Sequence, residues 1–214
     1  MRNGVITVGF TSFNDINEMH IDVLKELANI GSGNAASSLS RMLNHPIKVS
    51  IPYIGIKGFN EAYEALGGAE AIMVGTLLFL KNDLDGMIIF LLPVETACDL
   101  VNMLMYTEIT RYDEIDEMGF SAINEISNIM SASFVGAIAD MSELTIDISP
   151  PEATLDMLGS IMSVPSIYFA KMSDTLLLIQ TEMVISGKTT KTSVLLLPDM
   201  PSLSKLMKSL GIDI

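Results

Sequence analysis

Hydrophobic positions in this chain follow a helical period in two long stretches. Over residues 17–43, apolar or small residues recur every three or four positions, which predicts one face of a long amphipathic helix. The same spacing returns over residues 120–141, and the preceding segment 113–117 is rich in Asp and Glu, which favour a helix N-terminus. The sequence therefore predicts two equivalent long helices.

Shorter segments with alternating or continuous apolar residues predict the strands. In the first half these are a strand that begins at Ile47, two strands at about 70–81 and 84–92, and then a helix over Val94–Met105. In the second half they are strands near 165–171, 175–185 and 191–197, followed by a short helix to Leu210. Short links between consecutive strands favour antiparallel pairing, so the predicted fold class is α+β with a largely antiparallel sheet.

The polar positions add an internal repeat to this picture. One constellation occurs twice with a shift of 99 positions: Asp22, Glu26, Asn29 and Pro52, then Ser121, Glu125, Asn128 and Pro151. Several apolar positions around it follow the same shift. We therefore predict one domain over residues 1–214 with internal pseudo-two-fold symmetry, made of two repeats at about 16–108 and 113–211.

Helical geometry places the Glu and Asn of each copy on one outward face. At 100° per residue, Glu26 and Asn29 share a narrow sector that lies roughly 150° from the apolar stripe. One such pair is ordinarily a solvated helix face, and duplication alone also preserves a pattern without function. Two pairs in matching context favour a site, as do the poor helix formers Gly31 and Gly33 in the first helix.

A carboxylate and a carboxamide can support only certain chemistry. An Asn side chain orients a water through one donor and one acceptor, and a carboxylate binds a Lys. This suffices for hydrolysis when a partner brings the reactive group, but attack on a stable amide or ester usually needs an activated nucleophile or a metal. His20 and His45, the only histidines, have no ligand-rich surroundings, so we expect neither a metal nor a cofactor.

Composition excludes several classes of partner. The formal charge is −14 and the 12 Lys and Arg residues are scattered, which argues against nucleic acid. The longest apolar stretches, Ala71–Leu80 and Gly86–Pro93, fall short of the ~20 residues that span a bilayer, so no membrane insertion is expected. Cys98 is the only cysteine and no signal peptide is evident, which favours the cytoplasm.

At the repeated constellation the sequence resembles the CheC family of chemotaxis phosphatases. The family signature is Asp or Ser, three residues, Glu, two residues, Asn, twenty-two residues, Pro, and both copies match it at full spacing. The chain departs from the family at Ala28 and Ser127, where Gly is frequent, and at Ser131-Ala132-Ser133, which replaces a segment that contains Gly. We expect these departures to concern packing and partner approach more than the reacting groups.

The resemblance implies hydrolysis of the aspartyl phosphate of the response regulator CheY. CheY would supply the phospho-Asp, a Mg²⁺ ion and a Lys. Glu26 or Glu125 would hold that Lys, and Asn29 or Asn128 would align the attacking water without a covalent intermediate. By the same resemblance, the first positions of each signature act as flanking supports, and these are Asp22 and Ser121.

A second resemblance concerns the segment after Pro151. Residues 152–160 resemble the family helix that docks into CheD, the receptor deamidase, with Asp156 at the key acidic position. An ordinary surface helix is the alternative for this segment. For the whole chain, the alternatives are a noncatalytic module that binds CheD or CheY, and a flagellar switch component of the FliY type. The latter carries a further C-terminal domain, whereas this sequence ends at Ile214, so it is the less favoured alternative.

Overall fold

The computed structural model describes residues 9–169 and 175–212, in which one seven-stranded sheet lies between helices of unequal length. The first half contains α1 (Glu18–Leu43), β1 (Ile47–Gly58), α2 (Phe59–Ala65), β2 (Ile72–Asn82), β3 (Gly86–Pro93) and α3 (Val94–Met105). The second contains α4 (Glu117–Ser142), β4 (Ile146–Ile148), β5 (Glu152–Met157), α5 (Leu158–Ile161), α6 (Ser163–Phe169), β6 (Thr175–Ile185), β7 (Lys188–Pro198) and α7 (Met200–Ser209). A short 3₁₀ turn precedes each long helix, at Phe13–Asp15 and at Tyr112–Glu114.

The strands are ordered β1-β6-β7-β3-β2, and β4 and β5 both pair with the outer edge of β2. Every pairing among the described strands is antiparallel. The central strand β3 and residues 192–198 of β7 are buried on both faces, which explains why β3 reads as a continuous apolar run from Gly86 to Leu92. The predicted α+β class with a largely antiparallel sheet is confirmed.

The two long helices pack side by side on one face of the sheet. Their inward stripes, which include Leu24 and Leu39 on α1 and Ile126 and Phe134 on α4, are almost completely buried. Short helices cover the opposite face, where α2 and α5 contribute to a second apolar cluster. Because the sheet and the neighbouring helix bury one side of α1 and of α4, the other side of each faces solvent.

Both long helices have well-defined starts. Asn17 Oδ1 accepts a hydrogen bond from the backbone N–H of His20 at 3.1 Å, and His20 Nδ1 accepts one in return from the N–H of Asn17 at 3.1 Å. At the start of α4, Asp116 Oδ1 accepts from the N–H of Gly119 at 2.9 Å. These caps fix the first turn of each helix, on which the candidate site depends.

The 3₁₀ turns before α1 and α4 extend the repeat by a feature that the sequence reasoning missed. Asp15 Oδ2 accepts from the backbone N–H of Thr11 at 2.7 Å, and Glu114 Oε2 accepts from the N–H of Thr110 at 2.8 Å. In both turns this backbone hydrogen bond is the main reason why the pKa of the carboxyl lies below its ordinary value. Asp15 and Glu114 are again 99 positions apart in the sequence.

The signature prolines lie where the edge strands lose their regular register. The pairing of β1 with β6 shifts between Ser50 and Tyr53, an interval that contains Pro52. On the other edge, residues 149–151 separate β4 from β5 and end at Pro151. Proline has no N–H to donate to a ladder, which is consistent with its place at these two irregular points of the sheet edges.

Two predictions about the second half are wrong. Residues 152–160 do not form a helix, because 152–157 is strand β5 and only the turn Leu158–Ile161 is helical. Exposure alternates along β5, and its backbone satisfies the open edge of β2. The predicted strand at 165–171 is helix α6 as far as Phe169, with Pro165 in the first turn, where a missing N–H costs little. Residues 170 and 171 lie outside the described part of the chain.

Gly31 also has a different role from the one that its helix propensity indicated. It is buried where α1 meets α4, and a Cβ built on it would lie 2.7 Å from Cδ2 of Phe134 and 3.2 Å from the Phe134 carbonyl oxygen. Gly33 is exposed, and a Cβ there would have nothing within 4 Å. Gly31 is therefore explained by the close approach of the two helices.

This contrast makes Gly31→Ala and Gly33→Ala a matched test of the helix crossing. Both changes improve helix propensity by up to ~1 kcal/mol, so that gain cancels in the comparison. Only Gly31→Ala overpacks, and we expect its free energy of unfolding to be about 1–3 kcal/mol lower than that of Gly33→Ala. Urea unfolding measures both values, and equal stabilities would contradict the tight crossing.

Candidate functional site

The four candidate side chains lie on the outer faces of the long helices. Glu26 and Asn29 on α1, and Glu125 and Asn128 on α4, are all exposed. Among the residues that the structure describes, none of these four side chains forms a hydrogen bond or an ion pair with another part of the chain. Their polar atoms are therefore available to a partner.

Each pair belongs to a longer exposed stripe along its helix. The first stripe consists of Met19, Asp22, Glu26, Asn29 and Gly33, and the second consists of Met118, Ser121, Glu125, Asn128 and Ala132. At 100° per residue, the five members of each stripe fall within about 80° of one another. The structure thus brings the predicted supports Asp22 and Ser121 onto the same face as the pairs, one helical turn before each Glu.

The inner neighbours of the pairs hold the helices to the sheet. Ala28 is buried on α1, and Ser127 is buried on α4, where its Oγ lies 3.0 Å from Oγ1 of Thr76 on β2. These are two of the three places at which the chain departs from the family pattern. Both side chains are buried, and neither faces the candidate sites.

The second stripe borders an open cleft of about 580 Å³. Its wall opposite α4 consists of Ile148, the last residue of β4, and the irregular segment 149–151 that leads to β5. Asn124 fastens the helix to this side, because its Oδ1 accepts from the backbone N–H of Ala153 at 3.1 Å. The sequence gives no signal for Asn124, since the matched position on α1 is Lys25 and the repeat does not extend to it.

Other residues considered from the sequence lie elsewhere. His20 is a buried cap residue, and Nε2 of His45 lies 2.8 Å from Oγ of Ser186. Asp156 is exposed near the end of β5, opposite Met73 of β2, and belongs to neither stripe. In the part of the chain that the structure describes, no three His, Cys, Asp or Glu side chains cluster in a way that could hold a metal ion.

Within residues 9–169 and 175–212, no helix combines the length and the hydropathy needed to cross a lipid bilayer.

Solved structures define the class of fold. The structure of Thermotoga maritima FliY matches with a TM-score of 0.75 at 21% identity, covering 92% of this chain and 98% of that one. The CheX–CheY–BeF3–Mg²⁺ complex from Borrelia burgdorferi matches with a TM-score of 0.53 at 18% identity, over 84% of this chain and 99% of that one. The fold is thus the one shared by FliY and CheX.

Sequence comparison narrows this class to a family. The model of the CheC-like family matches residues 19–53 and 118–155, which contain both candidate pairs. The CheY-P phosphatase CheC of Bacillus subtilis is 30% identical over 203 residues, which cover 93% of this chain and 97% of that protein. The flagellar motor switch phosphatase FliY of the same organism is 24% identical over 66% of this chain and 37% of its own length. The chain belongs to the CheC-like family.

Proposed function

We propose that this protein is a phosphatase that hydrolyses the aspartyl phosphate of the chemotaxis response regulator CheY. The observation that carries the proposal is the doubled Glu/Asn pair, exposed and uncommitted on both long helices. The similarity of this chain to the CheY-P phosphatase CheC of B. subtilis, over nearly the whole of both chains, supports the same activity.

The proposed mechanism divides the active site between two proteins. CheY brings the phospho-Asp, its Mg²⁺ ion and a Lys. Glu26 or Glu125 holds the Lys ammonium, and Asn29 or Asn128 orients a water in line with phosphorus. Acyl phosphates are labile, so positioning can supply most of the catalysis, with no covalent intermediate and no cofactor on this chain.

The exposure of both pairs fits this division. A site that completes itself only on a partner must present its groups at the surface, and the four side chains have no competing contacts among the described residues. A protein of the same fold, B. burgdorferi CheX, has been solved in a complex with CheY, BeF3 and Mg²⁺. That complex supports CheY as the partner.

We further propose that the two sites arose by internal duplication within one domain. The two stretches matched by the family begin at 19 and 118, again 99 positions apart. If β4 and β5 together correspond to β1, β6 to β2 and β7 to β3, the strand order reads the same from either edge of the sheet. This arrangement supports two related sites, with Asp22 and Ser121 as their flanking supports.

CheD is the proposed regulatory partner, bound through the surface around Asp156. That side chain is exposed, and the neighbouring Met157 and its cross-strand partner Ile72 expose 45% and 40% of their surfaces. Exposed Met and other apolar side chains with polar groups at their rim are typical of a protein interface. We expect the complex to form in the cytoplasm, the compartment favoured by the single cysteine, Cys98.

The proposed activity is tested by following phosphate loss from CheY-P with and without this protein. We expect the lifetime of the phosphate to shorten in proportion to the concentration of added protein. An unchanged lifetime of the CheY phosphate would contradict the proposal. If the protein still bound CheY-P in that case, it would be a noncatalytic module that sequesters its partner.

A further inference from the structure

Each exposed stripe begins with a methionine that the catalytic proposal leaves without a role. Met19 exposes 51% of its surface and Met118 exposes 64%. A single exposed apolar residue needs no explanation. These two, however, occupy matched positions 99 residues apart, in the first turn of the two long helices, and each begins a stripe.

The geometry ties each methionine closely to its Glu/Asn pair. Met19 precedes Glu26 by seven residues, as Met118 precedes Glu125, so the two side chains lie within about 20° of each other around the helix axis. The separation along the axis is about 10 Å. The capped first turn of each helix fixes the backbone that carries the methionine.

The area of an ordinary complex extends past this distance. A stable interface buries about 800 Å² on each partner, which corresponds to a patch roughly 16 Å in radius. A partner that places its Lys at Glu26 or Glu125 and forms such an interface around this contact therefore also covers the methionine at the head of the stripe. Met suits this position, because its flexible, polarizable side chain adapts to the surface that covers it.

We propose that Met19 and Met118 are the apolar anchors on which the phosphorylated receiver protein docks. This inference rests on the proposed function and adds to it a recognition element outside the reacting groups. The occupant is the same receiver that carries the aspartyl phosphate, and its surface beside the phosphorylation site must offer apolar contact about 10 Å from the Lys that the Glu holds. The anchors contribute binding, whereas the Asn positions water.

The double variant Met19→Gln, Met118→Gln tests the anchors. Gln has nearly the length and helix propensity of Met, so the helices remain intact while apolar contact is lost. We expect the Kd for CheY bearing BeF3 and Mg²⁺ and the KM for CheY-P each to rise about tenfold, since a buried Met contributes binding of that order. The value of kcat should not change, because the methionine contacts bind the ground state and the transition state equally.

Met141→Gln is the matched control. Met141 also lies on α4 and is 37% exposed, but it is about 140° around the helix from Met118 and belongs to neither stripe. Its replacement should leave Kd, KM and kcat unchanged. An equal rise in Kd for Met141→Gln and for the double variant would overturn the inference, because general surface polarity would then explain the effect.

The remaining outcomes separate this inference from the proposed function. If the unmodified protein binds and dephosphorylates CheY but the double variant has the same Kd and KM, the anchors are wrong and the phosphatase stands. If the unmodified protein neither binds nor hydrolyses, the proposed function fails and the anchors fail with it. Loss of a dimer in the double variant with an unchanged Kd, measured by sedimentation, would assign the methionines to a second copy of this chain and overturn the inference.

Discussion

Replacing Asn29 and Asn128 together by alanine is expected to slow dephosphorylation of CheY-P by this protein about 100-fold, the cost of losing precise orientation of a reactant. The physical reason is that, in the proposed mechanism, each carboxamide supplies the donor and the acceptor that align water, and alanine supplies neither. Glu26 and Glu125 remain in the double variant. Binding of CheY should therefore persist, and kcat should fall more than KM changes.

Asn34→Ala is the matched control for this double variant. Asn34 is exposed on α1, and it lies five residues beyond Asn29, about 140° around the helix. The control thus removes the same chemical group from the same helix but not from the stripe. It should retain full activity in a phosphate-release assay, and a double variant as active as this control would contradict the role of the Asn pair.

The single variants test whether the two helices act independently. Asn29→Ala removes one proposed site and Asn128→Ala removes the other, so each should retain the activity of the site that remains. Glu125 and Asn128 border the cleft beside 148–151, where Asn124 ties α4 to β5. The difference between the two single variants measures what this added wall contributes.

The long elements could be predicted from the sequence because each carries its own periodic signal. Helices α1 and α4 repeat apolar residues over many turns, and the Val94–Met105 helix ends as predicted. The hairpins β2–β3 and β6–β7 are likewise predicted from their apolar runs. In such segments local propensity and burial favour the same structure, so tertiary contacts reinforce the pattern that the sequence shows.

The short elements could not be predicted because the sheet decides them. Residues 152–157 become a strand since the edge of β2 offers unpaired backbone groups, and nothing local requires that choice. The apolar residues Ile167 and Tyr168 predict a buried strand, yet 78% and 53% of their surfaces are exposed on helix α6. Burial in such short segments depends on neighbours that are distant in the sequence.

The candidate site shows the same division between local and tertiary information. Helical periodicity alone put Glu26 and Asn29 on one outward face, and the structure has them there. Gly31 misled the sequence reasoning, because a buried helix crossing and a functional surface both select small residues. Asn124 gave no signal, since its value lies in a hydrogen bond to Ala153, 29 residues later.

Reversing the charge of Asp156 is expected to abolish the proposed complex with CheD. Removing one partner of a close charged pair at an interface typically costs about 2–5 kcal/mol, so Asp156→Lys should raise the Kd by a factor of at least about 30. The carboxylate is oriented on its strand, because its Oδ1 accepts from the backbone N–H of Met157 at 2.7 Å. Isothermal titration calorimetry of CheD with each variant measures the change in Kd.

Glu152→Lys makes the same charge change on the same strand and serves as the control. Glu152 and Asp156 both lie at exposed positions of β5, four residues apart. A loss of binding confined to Asp156→Lys would therefore locate the contact at the end of β5, beside Ile72 and Met157, and not in the general charge of this edge. Because Asp156 lies outside both stripes, its variant should still hydrolyse CheY-P, and this activity shows that the variant is folded. An unchanged Kd for CheD would mean that the interface lies elsewhere.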